Sequence, residues 1–211
     1  MAIFGFDFRN TSAYVTDPST STFQLCPTGT ANPAYPTTKS VNGQSITFGW
    51  ESGTANVDSR DRNSGIDARL AGINFVPSTA GGSGTWRVDL PSSGSWTLNM
   101  AMGDASGAQT INLNVKDTNT TLFSFANTAV ASGSFLDANG TAWTAANWPA
   151  SNTSKTVTFT TTICRVVFNV PSSLSTTLTH MLFTSTGNVV FEEDSLVKLT
   201  VWPYDPAITV Y

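Results

Sequence analysis

Between Trp86 and Val115 the chain alternates apolar and polar side chains with a period of two, interrupted only by two short turns. Trp86, Val88 and Leu90 alternate with Arg87 and Asp89. After Pro91-Ser92-Ser93-Gly94 the pattern resumes at Trp96, Leu98, Met100 and Met102, and after Gly103-Asp104-Ala105-Ser106-Gly107 it resumes at Ile111, Leu113 and Val115. In extended backbone successive side chains leave on opposite faces, so each run buries one face and wets the other, whereas a helix needs a period near 3.6. The pattern predicts three strands, and the short turns predict that they pair in order as a meander. Trp86 and Trp96, in phase with these runs, are expected in the core.

Other segments read the same way. Ile3 to Phe8 puts Phe4, Phe6 and Phe8 on one face, and Ser45 to Trp50 does so with Ile46, Phe48 and Trp50. Further strands are predicted at Leu122–Phe125, Lys155–Thr160, Ile163–Val170 and Leu196–Trp202, the last two apolar enough to be central. The irregular stretch 10–42, with four prolines, is too long for a plain loop and is expected to lie extended with one or two short edge strands. Residues 202–211 form an aromatic tail whose Pro203 and Pro206 forbid a central strand. Serine and threonine make up roughly a quarter of the chain, while the surface helix formers are scarce. No repeat or break in composition divides the 211 residues. The expectation is one all-β domain over 1–211, an antiparallel two-sheet β-sandwich of about ten strands.

Charge narrows the partners. The formal net charge is −4 and only 11 % of residues are charged, which argues against a nucleic-acid partner, whose phosphates require clustered Lys and Arg. It gives no reason to expect attraction to an anionic membrane. The first residues lack the basic start and apolar run of a signal peptide, and no segment has the apolar length of a membrane helix. Cys26 and Cys164 are far apart, and two free thiols are expected in preference to a disulfide.

The ordered set Phe6-Asp7-Phe8, Gly49-Trp50, Asp61-Arg62-Asn63, Trp86-Arg87-Val88-Asp89-Leu90-Pro91, Gly94, Trp96 and Gly103-Asp104-Ala105 resembles the galactose-binding-like jelly rolls that accompany polysaccharide-degrading esterases and lyases. The resemblance spans roughly residues 3 to 115. It implies a jelly-roll sandwich whose loops at one end form the binding surface. Trp86 and Trp96 stand where that family usually has Phe and Tyr. The motifs concern a hairpin, its turn and its core aromatics, so they imply fold more than ligand.

Chemistry-bearing residues are sparse. Gly103-Asp104-Ala105-Ser106 invites comparison with the G-D-S block of SGNH-type esterases, but Ala105 occupies the nucleophile position. The only histidine, His180, follows Thr177 by three residues where such an esterase needs an aspartate. A hydroxyl without a positioned base stays unreactive, so Asp104 is expected to cap a turn through its side chain and no catalytic residue is assigned. The polar run Asp58 to Leu70 offers Arg60 and Arg62 as sugar-binding forks. Its equal numbers of both signs favour internal pairing instead, with Arg62 and Arg69 lodged behind Asp7 or Asp89. Trp143 and Trp148, set among polar residues, are the candidate sugar platforms, and Trp202, Tyr204 and Tyr211 are candidate contacts to other proteins. No metal site or cofactor is expected. Calcium is the one ion that Asp137-Ala138-Asn139-Gly140 or Glu192-Glu193-Asp194 would suit, and neither has EF-hand spacing.

Two functions fit this inventory. The leading one is a non-catalytic decoration protein of a virion, phage by expectation, made in host cytoplasm and packed against other virion proteins or itself as a homo-oligomer. The alternative is a free-standing carbohydrate-binding module for neutral glycans.

Overall fold

The computed structural model describes residues 3–9, 23–25, 34–41, 44–62, 67–144 and 154–186. Within them lie fifteen strands: β1 (Ile3–Asp7), β2 (Phe23–Leu25), β3 (Thr37–Val41), β4 (Gln44–Ser52), β5 (Asp58–Asp61), β6 (Gly72–Pro77), β7 (Gly84–Asp89), β8 (Gly94–Gly103), β9 (Gln109–Asp117), β10 (Thr120–Val130), β11 (Phe135–Leu136), β12 (Ser154–Phe159), β13 (Ile163–Phe168), β14 (Ser175–Leu178) and β15 (His180–Ser185). Two short 3-10 turns, Thr54–Asn56 and Ala68–Leu70, are the helical pieces among the described residues. No helix there is long and apolar enough to cross a membrane.

The strands form two six-stranded sheets and a smaller one. The first runs β11-β8-β15-β1-β2 with β12 also on β8, the second runs β10-β9-β13-β7-β4-β3, and a three-stranded sheet runs β14-β6-β5. All pairings are antiparallel except β1 with β2. This is an all-β sandwich. The smaller sheet lies at one end, where the Asn112 amide donates to Thr176 Oγ1 at 2.6 Å and the Thr179 amide to the Ala101 carbonyl at 2.9 Å.

The two large sheets close over aromatic rings. Phe4, Phe6 and Phe8 of the first face Phe48, Trp86 and Phe168 of the second, all six at most 1 % exposed. Phe6 sits 4.6 Å edge-on from Trp86 and 4.9 Å from Phe48, and Phe8 sits 5.3 Å from Trp86. Full burial of a phenylalanine is worth about 1.5–3 kcal/mol, so β1 alone contributes a large part of the seam. Cys164 lies on the inner face of β13 as a free buried thiol, and burial pushes its titration well up. Cys26 lies outside the described residues.

One expectation is corrected. β7, β8 and β9 are not a meander: β7 pairs with β4 and β13, and β9 pairs with β10 and β13, whereas β8 belongs to the opposite sheet with β15 and β12. The turns at 91–94 and 104–108 carry the chain across the sandwich. Alternation reports which face of a strand is buried, and since both sheets bury their faces in one core, it leaves the neighbours open. The stretch 10–42 does supply two short edge strands, β2 and β3. The strand expected at Leu196–Trp202 lies outside the described residues.

Candidate functional site

The outer face of the first large sheet is roofed, which distinguishes it from an ordinary solvated face. Ala101 of β8 and Leu182 of β15 point outward yet are fully buried, packed with Leu70, Phe135 and Trp143 in a second apolar cluster. The roof has two parts, the arch 67–71 and the segment 131–144 that follows β10. The second part can cross β8 because position 103 is glycine: a Cβ there would stand 2.3 Å from the Ser134 carbonyl oxygen. Beyond β11, the chain turns back on Asp137, whose carboxylate accepts the Asn139 amide at 2.8 Å and the amide and hydroxyl of Thr141 at 3.0 and 2.5 Å. Asp137, weighed in the sequence as an oxygen ligand for calcium, thus accepts bonds from its own loop; residues 192–194 lie outside the described residues.

Between the two parts of the roof lies an open groove of about 350 Å³, lined by Leu70, Gly133, Ser134, Phe135, Ala142, Trp143 and Thr144. Leu70, Phe135 and Trp143 form a buried floor, and Ser134, Ala142 and Thr144 form an exposed rim. The Arg69 guanidinium lies over the Trp143 ring system, 5.2 Å from the ring centre. Arg69 is fixed in turn by Asp67, which it grips at 2.8 and 2.5 Å. This grip outweighs burial and holds the Asp67 carboxyl below its usual range.

Beneath the arch is a set of buried charges. Asp7 and His180, each 1 % exposed, face one another across β1 and β15 with His180 Nδ1 3.7 Å from Asp7 Oδ1. Arg9 reaches Asp7 at 3.8 Å and Asp61 at 3.4 Å. Arg62 clamps Asp104 with bonds of 2.8 and 2.7 Å, and Asp104 also accepts the Ser106 amide at 2.9 Å.

The expected site residues therefore separate. Trp143 is in the floor of the groove but is only 8 % exposed, so it is not an open platform. Arg62 is engaged with Asp104, and Arg60, exposed on β5, lies 4.5 Å over the Phe75 ring; neither lines the groove. The internal pairing expected of the polar run holds for Asp67 with Arg69, while Asp61 goes to Arg9. Arg9 stands by Asp7 at 3.8 Å. Asp104 caps its turn as expected. Trp148, Trp202, Tyr204 and Tyr211 lie outside the described residues. Ser134, Phe135 and Thr144 were not anticipated, because nothing local marks a hydroxyl that reaches a groove only after the chain crosses a strand.

Comparison with known proteins adds little. No protein-family model matches the chain, and neither does any curated protein sequence. Among solved structures it is similar to Bacteroides uniformis beta-glucuronidase 2 (8 % identity, TM-score 0.49, 88 % of this chain and 18 % of that one). It is also similar to a CBM35 from Paenibacillus barcinonensis (10 % identity, TM-score 0.38, 67 % and 93 %). A third is the plant receptor-like kinase FER (8 % identity, TM-score 0.46, 90 % and 43 %). The chain thus spans under a fifth of the glucuronidase. The fold class rests on the sheets themselves, not on these likenesses.

Proposed function

We propose that this protein is a non-catalytic binding module whose groove beside Trp143 takes a neutral sugar ring. The observation that carries the reading is the groove's lining: two aromatic side chains in its floor, two hydroxyls on its rim, and no charged residue among the described residues that line it. A pyranose presents an apolar C–H face and a ring of hydroxyls, and such a ligand matches an apolar floor with a few fixed polar groups. The Arg69 contact keeps the indole from turning, which removes an ordering cost at binding. The described lining supplies no carboxyl or imidazole, whereas glycoside hydrolysis uses a pair of carboxyls. The virion reading drew on the low charge, the abundance of Ser and Thr, the lack of a signal peptide and the aromatic tail with Trp202, Tyr204 and Tyr211, which lies outside the described residues; no described geometry favours it.

The test is a glycan array followed by calorimetry with Ala142→Trp, which fills the groove from an exposed position. The protein should bind one or more neutral glycans, Ala142→Trp should abolish the signal with the fold intact, and Ser134→Ala or Thr144→Ala should weaken it about tenfold. Unchanged binding by Ala142→Trp would place the ligand elsewhere. No signal for any neutral glycan would end the reading.

A further inference from the structure

The geometry points to a second ligand site, at the other end of β6 from the groove: a cleft that takes an amino sugar and holds its ammonium group on Asp58. The cleft is built where β5 and β6 part. Asp58–Phe75 is the last pair of their ladder. Before it the chain passes through the 3-10 turn Thr54–Asn56, and after β6 it turns at 77–81. Between these two turns lies an open cleft of about 470 Å³. The arch 67–71 precedes β6 and the cleft follows it, so a strand of six residues, about 17 Å of extended chain, separates the sites. Their linings share no residue.

The walls are fixed before any ligand arrives, which lowers the ordering cost of binding. Asn56 Nδ2 donates to the Ser83 carbonyl at 3.1 Å, and the Ala80 amide closes its turn on the Pro77 carbonyl at 2.9 Å. A Cβ at Gly53 would stand 1.9 Å from the Ser83 carbonyl oxygen, so glycine is what lets the two turns approach this closely. Val57 is buried and Ala80 packs on the main core, which gives the cleft a firm apolar base.

The lining selects a ligand that donates and carries positive charge. Asp58 is its one charged residue among the described residues. The Asp58 carboxylate accepts the Ser59 amide at 2.7 Å, and no ion pair joins it to a described cation. Arg60, two residues along β5, lies over the Phe75 ring at 4.5 Å. Asn56 gives an amide hydrogen to Ser83, the backbone amides of Asn56, Val57 and Ala80 are bonded within the walls, and Pro77 has no N–H. An ammonium brings three donors, and its bond to a carboxylate is charge-assisted. Size supplies the rest. The cleft falls in the range of small-molecule sites, and a linear amine would leave most of it unfilled. An amino sugar lays an apolar C–H face on Val57, Pro77 and Ala80 and offers hydroxyls to Thr79 and Asn56. None of this depends on the groove beside Trp143.

The test is a titration of the full-length protein with glucosamine, followed through its backbone amides by NMR. Shifts should concentrate at residues 55–58 and 79–81. N-acetylglucosamine, whose nitrogen is an uncharged amide, should bind there about tenfold more weakly. Asp58→Asn should bring a similar loss for glucosamine, and it keeps an oxygen for the Ser59 amide. Gly81→Leu, whose Cβ enters open space, should block the cleft with the fold intact. Equal affinity for the two sugars, or binding unmoved by either variant, overturns the ammonium site. Cadaverine binding as well as glucosamine overturns the sugar. An absence of shifts at 55–58 and 79–81 overturns the site outright and leaves the neutral-glycan reading, which is decided at the other end of β6, untouched.

Discussion

At the residue scale the most instructive group is Asp117, at the end of β9. It is 4 % exposed and accepts the amides and hydroxyls of both Thr160 and Thr161. Burial pushes its carboxyl up, but four donors together prevail and hold it below the usual range. These bonds tie the β9–β10 turn to the β12–β13 turn, and so join the two sheets at one end. Asp117→Ala removes the acceptor and leaves buried donors unsatisfied, at a cost of about 3 kcal/mol in urea unfolding. The pH dependence has a definite sign. A carboxyl depressed in the folded state contributes stability in full above its unfolded value of about 3.9 and loses it as pH falls through the folded one. The wild type should therefore weaken in acid more steeply than Asp117→Asn.

At the scale of elements, legibility depended on wetting. Strands with one wet face, such as β4, β7 and β9, were read from the sequence because their side chains alternate. β6 and β15 were missed, and their burial explains it. β15 is covered on both faces over His180 to Phe183, by the core on one side and the roof on the other, and β6 is buried from Gly72 to Val76. With no wet face there is no alternation to read. β5 was hidden for the opposite reason: its Asp58-Ser59-Arg60-Asp61 looks like a solvated loop, although Ser59 is buried and Asp61 meets Arg9. The edges are also informative. Lys39 of β3 and Lys155 of β12 place charge on edge strands, and β10 has register shifts at Thr121/Phe123 and Phe125/Thr128. Charges and bulges of this kind discourage edge-to-edge pairing. Gly72 tests how the arch joins β6. A Cβ at that position would lie 2.0 Å from Arg9 Cγ and 2.8 Å from Arg9 Cα, so the stem of Arg9 crosses directly over it. Gly72→Ala should cost about 2 kcal/mol in thermal unfolding, an effect that shrinks in an Arg9→Ala background even though Arg9 Cα remains.

For the molecule as a whole, the first strand is indispensable. β1 sits between β15 and β2, with its pairing to β15 running from Ile3–Thr184 to Asp7–His180, and supplies Phe4 and Phe6 to the seam, with Phe8 just past its end. Removal of residues 1–8 should leave a chain without cooperative unfolding by circular dichroism, and a native-like transition in that variant would contradict the assigned sheet order. The fold class was legible because alternation survives wherever a face meets water. The candidate site was only partly so: Trp143 stood out among polar neighbours, but its burial and its rim of Ser134 and Thr144 depend on a chain crossing that Gly103 permits. The proposed function depends on that crossing having built a place for a sugar. Backbone-amide NMR, recorded as a bound neutral oligosaccharide is titrated in, tests this most directly. The shifts should concentrate at residues 133–135 and 142–144 and in the Trp143 indole. Shifts confined to the outer face of the second sheet, around Arg87 and Arg165, would contradict it.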